Sequence, residues 1–399
     1  MLLSGLLSAQ AGYCQTVTTF AGNSAPGFNG DEKTALATQL WAPGGLALSG
    51  GNLFFADGLN NRLRKVSPGG IVTTLTGDDN PGNSGDNGPA TDARLNYPEG
   101  MTIDGHGNIY IADKYNNSIR KITPAGIITR FAGSGQSGFS GDGALASSAQ
   151  LNGPCALAVD IAGNVYITDA GNNCIRRVTP EGIMSTVAGT GREGYRCDSC
   201  SATTAQLNAP RGITTDTAGN LYIADALNYR IRKVTPSGLI TTLAGNGESG
   251  FSGDGEAATA ARLNMPTGVA IDKAGNIYIA DQSNNRIRVV TPEGIISTAA
   301  GGGIDSTNQL SAPTYLTADG NGILYVSEQQ DNLIKKVIPP PPAPKVVKNR
   351  SKAAATNSKP YVAPPFATPN MNTPPPSYRA SFQPPSSPPP SSGKGNKGR

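Results

Sequence analysis

ADGLNNRLRKV, residues Ala56 to Val66, returns as ADKYNNSIRKI, TDAGNNCIRRV, ADALNYRIRKV and ADQSNNRIRVV, so that its acid falls at Asp57, Asp113, Asp169, Asp225 and Asp281. These five copies begin 56 residues apart, and a fixed period of that length marks a stacked architecture whose units do not fold alone. A worn sixth copy, SEQQDNLIKKV, puts Glu328 in the place of the acid. The full unit is clearest from Pro266 to Gly301, PTGVAIDKAGNIYIADQSNNRIRVVTPEGIISTAAG. Four short runs of β-branched and aromatic residues lie in it, each bounded by Gly, Pro, Asn or Asp, and they predict four strands: a (Gly268 to Ile271), b (Asn276 to Ala280), c (Arg286 to Val290) and d (Ile295 to Ala299). Four-residue turns join a to b and c to d, which makes neighbours antiparallel.

The fold class is therefore all-β, a β-propeller of four-stranded antiparallel blades. The last unit, Pro313 to Val337, has strands a, b and c and then meets Pro339-Pro340-Pro341-Pro342. Its missing strand stands at the other end: TVTTFAG, Thr16 to Gly22, matches ITTLAG, Ile240 to Gly245. An N-terminal strand that completes the last blade closes the ring at six blades.

Composition divides the 399 residues into three segments. Residues 1–11 carry an apolar run followed by Ala9-Gln10-Ala11, the pattern of a secretory signal lacking its basic start, and point to a secreted or cell-surface protein. Residues 12–338 form the propeller. Residues 339–399 hold 17 of the 31 prolines and nine Lys or Arg with no acid, as expected for a disordered, extended tail able to contact anionic surfaces. The remaining 23 basic and 28 acidic residues make the propeller acidic, so no nucleic-acid partner is expected for it. No apolar run is long enough for an ordinary membrane-spanning helix.

The motifs P-x-G-[VIM]-[AT]-[VI]-D, G-N-[IVL]-Y-I-[AT]-D and N-x-x-I-R-K-V resemble the NHL-repeat family, in particular its bacterial extracellular members and teneurin-like NHL domains, over roughly residues 15 to 338. The resemblance implies a six-bladed propeller that binds proteins, glycans or RNA on one face, with a minority of lyase and lactonase-like relatives. Ser327-Glu328 in place of Ala-Asp departs from the pattern, as does the lack of family-typical histidines.

Strand direction places the d-to-a loops and b-to-c turns on one face, the top. The loops GFNGD, SGDNG, GFSGDG, GYRCDSC and a second GFSGDG carry Asp31, Asp86, Asp142, Asp198 and Asp254, a ring outside the repeat-turn acids. Each precedes an Ala-rich stretch read as a short helix. Asp142 and Asp254 are then helix N-caps, and the alternative is a ligand or cation site. The repeat-turn acids are read as Asx groups bonded to backbone N–H inside D-x-x-N. Phe139, Tyr195 and Phe251 are the loop aromatics suited to anchor a partner. Arg64, Arg120, Arg176, Arg232 and Arg288, with Lys335, are read as making blade-to-blade ion pairs.

His106, the single histidine, lies in an a-to-b turn on the bottom and cannot supply a zinc site or a catalytic triad. A carboxylate metal site in the channel needs no histidine, but no blade carries an outlying acid in strand a. Cys197 and Cys200 form a candidate disulfide; Cys155 and Cys174 lie in strands a and c of one blade, and their pairing stays open. The sequence thus favours a monomeric, non-enzymatic binding or scaffold propeller without cofactor or metal, recognising a protein or glycan through an acidic top face. The alternative is a metal-dependent hydrolase or lactonase-like propeller.

Overall fold

In the computed structural model, residues 16–303 and 308–339 are described. They form six antiparallel sheets, one per repeat. In the fifth blade the strands run Pro266–Ile271, Ile277–Asp281, Arg286–Val290 and Ile295–Gly301, within two residues of their expected bounds. The first blade shows the same order: Pro43–Ser49, Asn52–Asp57, Arg62–Val66 and Ile71–Thr76. The sixth contains Leu316–Ala318, Leu324–Glu328 and Leu333–Ile338, and its outer strand is Thr16–Ala21, paired from Thr16 opposite Ile338 to Ala21 opposite Ile334. The ring is closed by that N-terminal strand.

Blades stack through apolar side chains that alternate along b, c and d. Ala224 and Ile231 of one blade meet Val269, Ile279 and Ile296 of the next, all buried. Strands a approach one another so closely at the axis that their third position is Gly45, Gly100, Gly212 or Gly268 in four blades. A Cβ on Gly100 would lie 2.1 Å from the Cys155 carbonyl oxygen, and one on Gly212 would lie 2.4 Å from that of Thr267.

The Asn-Asn pair of the repeat has two separate duties. Asn61, Asn117, Asn173, Asn285 and Asn332 sit in the left-handed region, where Asn is tolerated among non-glycine residues. Their side-chain oxygens accept from the backbone N–H ahead of the next strand a: Asn61 from Tyr97 at 3.0 Å, Asn117 from Gly153 at 3.0 Å and Asn332 from Ala42 at 3.0 Å. Each such bond links one blade to the next. On the bottom, Asp104 accepts from the N–H of His106 and Asn108, the Asn108 amide and the Tyr110 hydroxyl, which accounts for the D-x-x-G-N-x-Y spacing.

The d-to-a connections differ from expectation. The Ala-rich stretches are not helices but three-residue 3-10 turns, such as Ala146–Ser148 and Ala258–Ala260. Each loop leaves the top, descends the rim and adds a two-residue fifth strand beside d in four blades, at Lys33–Thr34, Gly88–Pro89, Cys200–Ser201 and Glu256–Ala257. The run of alanines has a packing role, since Ala90, Ala146, Ala202 and Ala258 are buried in the clusters between their blade and the preceding one. The expected signal at 1–11 and, apart from Pro339, the expected tail at 339–399 lie outside the described residues.

Candidate functional site

Two constellations meet on the top face, one repeated and one not. The repeated one is a clasp around a buried arginine. Arg64, Arg120, Arg176, Arg232 and Arg288 are wholly buried in strand c. On the inner side Arg64 meets Asp57 at 3.2 Å, and on the outer side it meets Asp31 at 3.3 Å; Arg288 likewise meets Asp281 at 3.5 Å and Asp254 at 2.7 Å. Asp86, Asp142 and Asp198 hold Arg120, Arg176 and Arg232 at 2.8, 2.8 and 3.1 Å. Loop carbonyls add further acceptors, as Ser140 does for Arg176 at 2.9 Å, while the Nε of Arg64, Arg176, Arg232 and Arg288 has no hydrogen-bond partner among the described residues. Each inner acid ends strand b of the sheet that holds its arginine, and each outer acid lies in the d-to-a loop leading into that blade, so the ion pairs fasten the entering loop to its own blade.

Each inner acid has a full set of donors. Asp169 accepts from the Asn152 N–H at 2.7 Å, the Asn172 amide at 2.8 Å and Arg176. The backbone donor comes from the residue ahead of strand a, not from inside the turn as the sequence suggested, and the turn contributes the Asn side chain instead. Burial pushes Asp113, Asp169 and Asp225 up to about 6, against the pull of these donors. The inner ring is therefore not displayed on the face at all. In the sixth blade Glu328 accepts from the Ser311 N–H at 2.7 Å, and Lys335 stands 3.7 Å away. Burial pushes its carboxyl up to about 7, the distant lysine offsetting little.

The loop aromatics cover the clasps. Arg176 lies 4.8 Å from the Phe139 ring centre, Arg230 3.8 Å from Tyr195 and Arg286 3.6 Å from Phe251, all in cation–π range. Phe28 does the same for Arg62 at 3.7 Å. Asp142 and Asp254 cap nothing: Leu145 and Ala257 precede the 3-10 turns, with no side-chain cap bond. The structure brings together the outer acids, inner acids and aromatics as arginine clasps in five blades, the inner acids buried and the outer acids and aromatics partly exposed. Cys197 and Cys200 are disulfide-bonded, Cα atoms 6.1 Å apart, and the Cys197 carbonyl accepts from Arg232 at 2.8 Å. Cys155 and Cys174 are free and buried.

The second constellation occupies the axis. The second residue of strand a reads Gly44, Glu99, Cys155, Arg211, Thr267 and Thr314 around the ring. Glu99 contradicts the expectation that no strand a carries an outlying acid. It is 3% exposed and is held by Lys114 at 2.6 Å, by the Tyr315 hydroxyl at 2.9 Å and by Arg211 at 3.6 Å. Tyr315, where four other blades have glycine, also donates to the Cys155 carbonyl at 3.3 Å and so spans the channel beneath the mouth. Below it strands a enclose a cavity of about 290 Å³. The Cys155 thiol donates to the Arg211 carbonyl at 3.3 Å, and burial pushes it up to about 11, away from reactivity.

Around this mouth lie further exposed apolar groups of the top. Tyr97 and Tyr115 stack with ring centres 5.0 Å apart, Lys114 sits 5.4 Å from the Tyr97 ring centre, and Trp41, Leu59 and Leu227 stand 43%, 42% and 46% exposed. A Cβ on Gly58 would touch the Tyr97 ring at 3.4 Å, so blades 1 and 2 share one patch. The mouth holds a single carboxylate between two cations. Among the described residues no group of three or more His, Cys, Asp or Glu is placed to hold a metal ion.

The sequence profile of the teneurin NHL domain matches residues 78–140, 191–251 and 245–306. Together with the six closed blades it settles the type of repeat. The chain is an NHL-repeat propeller. Teneurin-1 of Mus musculus is 31% identical over 234 residues, covering 52% of this chain and 8% of the teneurin. Teneurin-4 of Homo sapiens is 31% identical over 281 residues, covering 60% and 10%. The chain thus spans about a tenth of these relatives' length. Among solved structures, an auxiliary nutrient binding protein from Bacteroides ovatus superposes with a TM-score of 0.59 at 17% identity, covering 82% of this chain and 77% of that one. A gluconolactonase from Xanthomonas campestris superposes at 0.52 with 14% identity, covering 76% and 87%. Both likenesses show the fold alone.

The axial mouth of the NHL propeller is not legible in the repeat, because its residues are those that differ from blade to blade. Its signal was the opposite: one column, Gly-Glu-Cys-Arg-Thr-Thr, that varies where flanking columns agree.

Proposed function

We propose that this NHL propeller is a non-enzymatic, secreted or surface-exposed binding module that recognises a protein or glycan on its top face, at the axial mouth and the adjoining patch of blades 1 and 2. One contrast carries the reading. The repeated acids and aromatics already serve the arginines of their own blades, whereas Trp41, Tyr97, Lys114, Tyr115 and Arg211 break the repeat and lie on strand-a starts and b-to-c turns beside the axis. Exposed apolar residues scattered singly need no explanation, but a contiguous aromatic patch rimmed by charge marks an interaction surface. The Cys197–Cys200 bridge supports an oxidising compartment.

The test is to screen the intact chain on arrays of surface polysaccharides and extracellular proteins with two variants. Trp41→Ala/Tyr115→Ala removes the top patch, and His106→Ala/Ile161→Ala alters the bottom. Signals lost only with the top pair support the reading; signals lost only with the bottom pair overturn it.

A further inference from the structure

Arg211, in strand a, differs in its partners from the five clasp arginines of strand c. The five clasp arginines have side chains with 0% exposure and two carboxylates each. Arg211 points over the axis with its side chain 35% exposed. Its one carboxylate, Glu99, lies 3.6 Å away, beyond good hydrogen-bond length, and is already bonded to Lys114 and Tyr315. Its guanidinium donates no hydrogen bond to any described residue. A guanidinium is a planar fork of five donors that matches a carboxylate bidentately. The fold holds this fork open at the centre of the exposed face.

Three neighbours narrow what the fork accepts. Lys114 and Arg211 against Glu99 leave one uncompensated positive charge, which balances a monoanion and leaves a phosphate dianion facing Glu99 with excess negative charge. Tyr97 and Tyr115 stack on the blade to which Glu99 tethers the guanidinium, and Tyr115 is 59% exposed, so an aromatic surface stands beside the fork. Tyr315 closes the channel below, so a ligand rests on the mouth instead of threading it. A pyranose ring bearing a carboxylate combines the two demands, an apolar C–H face for the tyrosines and a planar anion for the arginine.

We propose that the axial mouth binds a carboxylated saccharide, of the hexuronic acid class, with Arg211 gripping the carboxylate and Tyr115 packing on the ring. The proposal rests on the top-face reading and names its ligand. A peptide carboxylate offers the same anion without the sugar face.

Titration calorimetry of the full chain with trigalacturonate, its methyl ester and a short poly-L-glutamate decides the matter. The expected result is binding of the acid, with loss of roughly ten- to hundredfold in affinity both for the methyl ester and for Arg211→Gln. Tyr115→Ala should weaken the acid sugar but not any residual poly-glutamate binding. Unchanged melting temperatures of both variants show that folding is intact. If the methyl ester binds as well as the acid, or Arg211→Gln binds as well as the parent, the acid-sugar assignment fails while the top-face reading stands. Poly-glutamate binding more tightly than the sugar, or no binding by any of the three probes, also overturns it.

Discussion

Asp254 accepts from Arg288 at 2.7 Å across a separation of 34 residues, joining the outer loop of a blade to its third strand while Asp281 holds the same guanidinium from inside. Two acids per buried arginine explain how a cation survives there. Burying a charge is unfavourable unless partners and hydrogen bonds replace water on every side. The Phe251 ring over Arg286 and Arg288 covers the remaining face.

Because the aromatic covers serve the clasp, removing one is a stability event. Phe251→Ala should lower unfolding free energy by roughly 1–3 kcal/mol from lost packing and cation–π contact. Urea unfolding measures it, and an unchanged midpoint would show that the ring has no clasp role.

Ring closure makes the first described strand essential. Deleting residues 16–21 removes buried Val17 and Ala21 and leaves Leu333–Ile338 as an unpaired edge. The melting temperature should fall by more than 10 °C, consistent with several kcal/mol, and the truncated protein should self-associate in sedimentation.

The axial glycines are required by distance. Gly100→Ala forces a methyl group toward the Cys155 carbonyl and should cost about 2–4 kcal/mol. Gly105→Ala, where a Cβ would meet nothing within 4 Å, is the control and should leave the melting temperature within 1 or 2 °C, as expected of roughly ±0.5 kcal/mol.

Glu328 gives the sixth blade a pH dependence. Its folded value near 7 lies above the ordinary value of 4.5, so the folded state holds the proton more tightly than the unfolded chain. The associated stability is present below pH 4.5 and is lost as pH rises through 7. Glu328→Gln should therefore be stabilised over the parent by roughly 1–3 kcal/mol at pH 8 and be near neutral at pH 4.5, read from paired urea curves. An equal difference at both pH values would exclude titration as the cause.

The fold was legible because each blade repeats the same instructions. The run from Ala56 to Val66 encodes strand b's end, a left-handed Asn and strand c, and five near copies leave few other ways to arrange them. The clasp partners were not legible. Asp142 reaches Arg176 across 34 residues, and an acid before Ala-rich sequence reads equally well as a helix cap until the rim path of the loop is seen. That path depends on packing between the Ala146 turn and the preceding blade, which no local pattern records. Glu99, Arg211 and Tyr315 were hidden differently, since each is ordinary in its own strand and becomes a site only when the ring brings the strands to one axis.

The central claim is that repeated arginines hold the blades while the unrepeated one is left for recognition. Blade 4 contains one of each, so the urea unfolding free energies of Arg232→Met and Arg211→Met test it most directly. Arg232→Met leaves Asp225 buried without its cation and should lose about 3–5 kcal/mol, whereas Arg211→Met, with Glu99 still held by Lys114 and Tyr315, should change by less than about 1 kcal/mol. Comparable losses in the two variants would contradict the division between structural and recognition residues.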